Sequence, residues 1–215
     1  DPHYAVTKLL CLENTISGKV QPQNHLEVLA NAAHQKNLKV HLDGARLFNA
    51  HIYSGTSMKS LTNCFDSISI CLSKGLGAPI GSLLVSDQTT IDKARRLRKM
   101  LGGGMRQVGV IASCGMYALK NNVKRLQKDH DNAKLLADGL SSISELSIDY
   151  ANNQTNMVFV NCPKEHRESL EKFLLDREIM ISNLDRGRLV CHLGIEEKDI
   201  LFVIDSFKEY FKKTN

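Results

Sequence analysis

The sequence lacks the features that mark several common classes of protein. It contains no tryptophan, only 4 prolines among its 215 residues, and 6% aromatic residues. Because no recognition motif accompanies its positive charge and few aromatic residues are present for stacking on bases, we expect no nucleic-acid partner. No apolar stretch approaches membrane-spanning length, and no segment has the pattern of a signal peptide. We therefore expect no membrane partner and a cytoplasmic location.

Paired cysteines and metal-binding histidines are also missing from the sequence. No C-x-x-C motif is present, and none of the 8 histidines has metal-ligand spacing beside a carboxylate on one face. We therefore expect no metal site. The cysteines are interpreted as small buried hydrophobic residues in a reducing compartment: Cys11, Cys64, Cys71, Cys114, Cys162 and Cys191.

The composition is that of a globular protein, with 42% hydrophobic and 24% charged residues, enough for one domain or one and a half. The net charge is +5, and the densest basic run is Lys93–Lys99. We interpret this run as a solvated helix face at a subunit contact, with a phosphate-facing patch as the alternative.

Alternating apolar runs and helical stretches predict an α/β fold with a mainly parallel sheet in the N-terminal part. After about residue 147 the pattern changes to that of a small α+β domain. A glycine break at Gly102–Gly104 precedes a predicted long helix from Met105 to about Gly139, and we place the boundary inside this helix. The predicted domains are 1–127, part of a large domain, and 128–215, a small C-terminal domain. Predicted strands occupy 8–13, 38–43, 67–72, 80–86, 147–150, 156–161 and 188–193.

Two predicted strands end on residues that suit a pyridoxal phosphate site. Asp43 ends one strand, and Lys74 follows the apolar run Ser67–Ser73 and precedes a Gly-x-Gly sequence. A charged lysine resists burial, but an uncharged amine there can bind a carbonyl cofactor covalently. An aspartate beside a pyridine nitrogen keeps the ring protonated and makes it an electron sink. In parallel sheets ligands gather at the carboxyl ends of strands, where both residues are expected.

Each of these residues also has a structural interpretation. Asp43 before Gly44 suits a helix N-cap, and Arg46 suits either a carboxylate or cofactor oxygen or an exposed helix surface. The glycines at 75, 77 and 81 resemble a dinucleotide loop, but the spacing is one residue too long and a strand follows, so we reject that interpretation. The Gly102–Gly104 break before a helix suits an anion, reinforced by Arg106, or a flexible turn.

Taken together, the segments resemble the low-specificity L-threonine aldolases, which are fold-type-I enzymes that use pyridoxal 5'-phosphate. The matching blocks keep the family's order along nearly the whole chain, which overrides the structural interpretations of Asp43 and Lys74. The blocks are His3-Tyr4, Leu12–Thr15, His41–Ala50, Cys71–Ser82, Arg98–Gln107, Gln127–Ala133, Thr155–Met157 and Arg188–Leu193.

The resemblance implies a role in cofactor binding or catalysis for several of these residues. Lys74 would bind the cofactor aldehyde, and Asp43 would pair with the ring nitrogen. Arg46 would lie near the cofactor phenolate oxygen and the substrate carboxylate. His3 resembles a histidine placed near the substrate β-hydroxyl, and as a base or through a water it would take the hydroxyl proton.

Three further basic residues match positions near the family's active site. Arg188, from the small domain, resembles the arginine that binds the amino-acid carboxylate. Lys99 and Arg106 match basic residues close to the site that would reach the cofactor phosphate across a subunit boundary. The resemblance thus implies a small amino-acid substrate and a homotetramer with shared sites.

The implied reaction is the cleavage of L-threonine or L-allo-threonine to glycine and acetaldehyde. Two departures from the family pattern stand out: Ile16-Ser17 replaces the usual His-Asn, and the N-terminal part of the large domain is missing, so we expect a fragment. One alternative is a truncated, catalytically incompetent isoform that acts only by subunit association. Another is β-elimination or racemisation with the same cofactor, against which the Gly102–Gln107 block argues.

Overall fold

The computed structural model describes residues 3–151, 154–181 and 183–214, and the chain divides into two compact units. The first unit ends at Lys124 and the second begins at Arg125. None of the described helices is both long and apolar enough to cross a membrane.

The first unit is an α/β structure built on a four-stranded sheet. The strands follow the order β1-β2-β3-β4; β1, β2 and β3 are parallel, and β4 is antiparallel to β3. The mainly parallel sheet predicted from the sequence is therefore confirmed. The elements are β1 (Leu9–Glu13), α1 (Gln23–Gln35), β2 (Lys39–Asp43), α2 (Leu47–Ser54), α3 (Met58–Thr62), β3 (Ser67–Cys71), β4 (Ser82–Ser86), α4 (Gln88–Met100) and α5 (Gly109–Asn121).

One face of this sheet carries the apolar core of the first unit. Because side chains alternate between the two faces of a strand, Leu42 of β2 and Ile68 of β3 point to the same face, and they are partners in the strand register. Both are buried and pack with Leu47 and Ala50 of α2. This burial holds β2 and β3 side by side and sets where their carboxyl ends leave the sheet.

The second unit is a small α+β structure, as the sequence predicted. Its antiparallel sheet has the order β5-β6-β7, and its core is centred on Phe207, Leu140, Leu170 and Leu174, which are fully buried. The elements are α6 (Leu126–Ser141), β5 (Ser147–Asp149), β6 (Met157–Asn161), α7 (Lys164–Leu175), β7 (Gly187–Val190) and α8 (Glu197–Thr214).

The long helix predicted from Met105 to Gly139 is wrong, because two helices, α5 and α6, occupy that stretch. The backbone N–H of Asn122 still donates to Ala118 O at 2.8 Å, but its side chain donates to the carbonyl of Leu76 at 2.7 Å. Asn122 is the C-cap of α5, so this contact with the distant residue Leu76 lies at the end of that helix. Along the chain, the first unit therefore ends and the second begins in the segment between α5 and α6.

The prediction that all six cysteines are buried is also wrong. Cys162 and Cys191 are buried, but Cys11 and Cys114 are exposed, and Cys64 and Cys71 are half-buried. The exposed cysteines lie on faces of β1 and α5 that no described part of the chain covers.

Candidate active site

The carboxyl ends of the three parallel strands form one edge of the first unit's sheet. Glu13 of β1 is the register partner of Asp43 of β2, and Asp43 is in turn the partner of Ser69 of β3. Parallel strands leave the sheet in the same direction, so Lys74, shortly after β3, follows the same edge as Asp43.

Asp43 is exposed at the end of β2, and its backbone and side chain have different partners. Its carbonyl accepts from the N–H of Asn14 at 3.0 Å, which ties the end of β2 to the segment after β1. Its Oδ1 accepts from the N–H of Ala45 at 2.9 Å. The helix α2 begins later, at Leu47, and its N-cap is Arg46, so the helix-cap interpretation of Asp43 is wrong.

Gly44 follows Asp43 at a point where the backbones of two strands come close. Its N–H donates to the carbonyl of Ser69 at 2.8 Å. A Cβ at this position would meet that carbonyl oxygen at 2.9 Å and the Cγ2 of Ile68 at 3.2 Å. Glycine is therefore required by space rather than by backbone dihedral angle, and it lets the chain turn away directly after Asp43.

Lys74 lies on an exposed tight turn in the loop that joins β3 to β4. Its carbonyl accepts from the N–H of Gly77 at 2.8 Å, and Gly77 has a φ of 72°, which favours glycine. The N–H of Ala78 donates to the carbonyl of Leu72 at 3.0 Å, and the N–H of Leu72 donates to that of Gly81 at 2.9 Å. The backbone at Lys74 is thus fixed while its side chain stays exposed.

Cys71 at the end of β3 is a neighbour of this lysine that the sequence analysis did not single out. Burial raises the pKa of its thiol, but the hydrogen bond with Ser73 and the amine of Lys74 outweigh burial and lower the pKa overall. The Cys71 Sγ lies 3.4 Å from the Ser73 Oγ. The thiol of Cys71 is therefore a further polar group close to Lys74 at this sheet edge.

Arg46 lies on the same edge, beyond Asp43 and Gly44. It is half-buried, and its carbonyl accepts from the N–H of Asn49 at 2.9 Å in the first turn of α2. The backbone of Arg46 is therefore fixed at the start of α2.

The glycines 102–104 end α4 instead of opening the next helix. The N–H of Gly103 donates to the carbonyl of Arg98 at 2.8 Å, and that of Gly102 to the carbonyl of Lys99 at 3.2 Å. The next helix, α5, begins only at Gly109. The predicted anion site on free N–H groups of these glycines is therefore wrong for Gly102 and Gly103, because the end of α4 uses them.

Lys99 and Arg106 flank this turn and are both exposed. A Cβ on Gly104 would meet the Nζ of Lys99 at 3.0 Å, so the lysine side chain folds over the glycine backbone. The two basic residues thus lie at the end of α4 and in the loop before α5.

His3 lies in a turn ahead of β1 and is exposed. Because β1, β2 and β3 are parallel, the amino end of β1 is at the sheet edge opposite to Asp43. The place of His3 near the substrate β-hydroxyl, beside Asp43 and Lys74, therefore stays a prediction.

Arg188 belongs to the second unit, where it lies in β7 and lines a cavity of about 720 Å³. Strand β7, the turn that follows it, the segment 177–181 and the start of α8 surround this cavity, and His192 and Arg177 add further basic groups. Glu178 and Asp199 line it as well, so the cavity is a concave surface of mixed charge with Arg188 in its wall.

Among the described residues, no group of three His, Cys, Asp or Glu side chains is arranged to hold a metal ion. The chemical groups at the sheet edge are instead a carboxylate, a primary amine, a guanidinium and a thiol.

Comparison with known proteins assigns the family. The pattern of the beta-eliminating lyases matches residues 1–163. The chain belongs to the beta-eliminating lyase family. It is 45% identical over 213 residues to the low specificity L-threonine aldolase of Escherichia coli O157:H7. That match confirms the resemblance found in the sequence, and it covers 99% of this chain but 63% of the relative, so the chain spans under two thirds of that length.

Solved structures of lyases and related enzymes share the fold of this chain. A Leishmania major threonine aldolase superposes with a TM-score of 0.77 at 19% identity, covering 98% of this chain and 63% of the other. A serine palmitoyltransferase from S. paucimobilis with a bound complex of pyridoxal phosphate and myriocin gives 0.73 at 18% identity, covering 97% and 55%. The predicted fold-type-I architecture is confirmed.

Proposed function

We propose that the protein containing this chain is a pyridoxal-phosphate-dependent carbon–carbon lyase. It cleaves L-threonine or L-allo-threonine to glycine and acetaldehyde, and so serves threonine catabolism and glycine formation. One observation carries the proposal. Asp43 and Lys74 are both exposed, and they follow neighbouring parallel strands at the same edge of the sheet.

The residues at this edge fit pyridoxal phosphate by their chemistry. Lys74 supplies a primary amine for the aldehyde, and Asp43 supplies a carboxylate for the protonated ring nitrogen. Asp43 is exposed, although its Oδ1 already accepts from Ala45, so the carboxylate is accessible to a ligand. Arg46 supplies a guanidinium for the phenolate oxygen. When bound, the cofactor withdraws the electrons of the breaking Cα–Cβ bond into its ring.

The side chains then have distinct tasks. Lys74 would hold the cofactor through its amine, and Asp43 would keep the ring nitrogen protonated. Arg46 and Arg188 bind the substrate carboxylate, which orients the bond to be broken; fixing a reacting geometry in this way accounts for a large part of enzymatic acceleration. His3, or a water that it orients, takes the proton from the β-hydroxyl.

Lys99 and Arg106 bind the cofactor phosphate across a subunit boundary in this proposal. Two exposed cations beside one turn support it, because a phosphate carries two negative charges and favours basic surroundings.

The proposed assembly is a cytoplasmic homotetramer. Several large apolar side chains of α4, α5 and the loop between them are exposed, which supports an interface on this surface: Leu97, Met100, Leu101, Met105, Met116 and Tyr117. Light scattering on the purified protein measures the assembly directly, and a monomer at micromolar concentration would refute this part.

A threonine cleavage assay on the full-length protein tests the reaction. Wild-type protein with pyridoxal phosphate should release glycine and acetaldehyde in equal amounts, and Lys74→Ala should show no turnover. Lys59→Ala, an exposed lysine of α3, is the matched control and should keep wild-type activity. Release of ammonia and a keto acid would instead indicate β-elimination, and an inverted Cα without cleavage would indicate racemisation. No reaction at all would favour an incompetent isoform.

A further inference from the structure

A buried amide holds the chain where it leaves β7. Asn156 immediately precedes β6 and is 1% exposed. Its carbonyl accepts from the N–H of Cys191 at 2.9 Å, and its Nδ2 donates to the carbonyl of Cys191 at 2.9 Å. The hydroxyl of Thr155 donates to the Asn156 Oδ1 at 3.3 Å, which orients the amide. One side chain and its own backbone therefore bind both polar backbone groups of Cys191.

A second asparagine contacts the chain at the opposite end of β7. Asn161 is the last residue of β6, and its Oδ1 accepts from the N–H of Arg186 at 3.4 Å. The guanidinium of Arg167 donates to the same oxygen at 3.4 Å and pairs with Asp185 at 2.9 Å. One asparagine thus precedes β6 and another ends it, and each contacts backbone that flanks β7.

The register between β6 and β7 decides where Arg188 points. Arg188 is the partner of Phe159 in this register, and Arg188 is exposed while the adjacent Leu189 packs on the core. A slip of one residue would exchange the two faces. It would place a guanidinium against the core, which is costly for an unpaired charge.

The burial of Leu189 acts together with the two asparagine contacts to define the register of β7. The strand has four residues, and among the described strands its only neighbour is β6, because it stands at the edge of its sheet. Such an edge strand forms ladder bonds on one side only, so contacts at its ends add to the definition of its pairing. A fixed contact at the end of the strand is therefore an effective way to define the pairing.

We propose that Asn156 is a positioning residue for Arg188: by holding Cys191 it helps to fix the register of β7, in which Arg188 lines the cavity of about 720 Å³. The proposal rests on the proposed function, in which Arg188 binds the carboxylate of an amino-acid substrate. Asn156 itself touches the backbone of Cys191 and acts through the strand.

Steady-state kinetics of the full-length holoenzyme test this role. Asn156→Ala should raise KM for threonine about tenfold and change kcat by less than about threefold, since it disturbs substrate binding and not the reacting groups. In an Arg188→Lys background the same substitution should raise KM by less than about twofold, because residues that act together are not additive. Additive effects, or a fall in melting temperature with unchanged KM, would overturn the proposal.

Asn132→Ala is the matched control. Asn132 is 4% exposed and donates to the carbonyl of Ile195 at 3.1 Å, so its removal costs a comparable buried hydrogen bond in the same unit. It should lower the melting temperature like Asn156→Ala but leave KM within about twofold. An equal rise of KM in both variants would assign the effect to general loosening and refute the role of Asn156.

Hydrogen exchange gives a readout that does not depend on turnover. In Asn156→Ala the amides of residues 187–191 should exchange about tenfold faster, with exchange in α7 unchanged. The exposed Asn161→Ala, which should fold normally, should speed the same amides about threefold. Unchanged exchange there would refute the register role, whether or not the wild-type protein cleaves threonine. Absent cleavage in wild type would refute the proposed function alone.

Discussion

Asp43 accepts a hydrogen bond from the backbone N–H of Ala45 at 2.9 Å, within the turn that follows β2. The helix after this turn starts at Leu47 and has Arg46 as its N-cap. The carboxylate is therefore oriented by its own turn rather than used to begin a helix, and it stays exposed at the carboxyl edge of the sheet. A fixed, accessible carboxylate at this position is what a pyridinium ring requires.

Replacing Asp43 with Asn should remove the negative charge and keep the hydrogen bond that shapes this turn. The amide oxygen still accepts from Ala45, so we expect an unchanged melting temperature. Loss of the charge that stabilises the protonated ring should lower kcat/KM for threonine by about 100-fold. Activity within about threefold of wild type would show that Asp43 does not contact the cofactor ring.

Replacing Gly44 with Ala should destabilise the first unit. The new Cβ would meet the carbonyl oxygen of Ser69 at 2.9 Å, and this neighbour is backbone that cannot rotate away. We expect a loss of about 1–3 kcal/mol in the free energy of unfolding, measured by urea denaturation. Gly109→Ala is the control, because no atom lies within 4 Å of its added Cβ. Equal stability of the two variants would contradict the close approach at Gly44.

The sequence located the strands of the sheet well but not the break between α5 and α6. Apolar runs predicted strands at 38–43 and 67–72, and β2 and β3 occupy Lys39–Asp43 and Ser67–Cys71. The break has no glycine or proline as a local signal. It coincides with the bond from Asn122 to the carbonyl of Leu76, a contact distant in sequence that no local pattern reveals.

Some features of the candidate site were likewise predictable from local sequence, and others were not. The positions of Asp43 and Lys74 at strand ends follow from apolar runs and are visible in the sequence. The hydrogen bond from the N–H of Asn14 to the carbonyl of Asp43 depends on how β1 and β2 pair, and no local sequence pattern indicates it. Likewise, the hydrogen bond from the Asn156 side chain to the carbonyl of Cys191 joins residues 35 positions apart. Roles set by local pattern were predictable, whereas roles set by pairing required the structure.

Asp66 should make the first unit sensitive to acid. Burial raises the pKa of its carboxyl, but hydrogen bonds from Lys39, His34 and the N–H of Val40 outweigh burial and lower the pKa to about 2. A lowered folded-state pKa stabilises the fold above the ordinary value of 3.8, and this contribution is lost as pH falls from about 4 to about 2.

At neutral pH, Asp66→Asn should therefore cost about 2 kcal/mol and flatten the pH dependence of stability between pH 4 and 2. Asp138→Asn is the comparison, because its pair with Lys134 is exposed on both sides and should contribute about 0.5 kcal/mol or less. Parallel stability curves for wild type and Asp66→Asn across this range would contradict the assignment.

His130 should give the second unit a different acid response. Burial lowers the pKa of its imidazole to about 4, so the folded state keeps it neutral while the unfolded chain takes up a proton below about 6.5. Stability should fall by up to about 3 kcal/mol as pH decreases from 6.5 to 4 and level off below that. His130→Leu should remove this slope in pH-dependent urea unfolding; a slope unchanged from wild type would show that another group is responsible.

The proposed reaction requires that Lys74 bind the cofactor, and the decisive test is an absorbance spectrum after addition of pyridoxal phosphate. The 215-residue chain and the full-length protein are each compared with their Lys74→Ala variants, and Lys59→Ala serves as the lysine control. We expect the visible band of a lysine-bound cofactor in wild type and Lys59→Ala, and none in Lys74→Ala. Equal bands in wild type and Lys74→Ala of the full-length protein would contradict it.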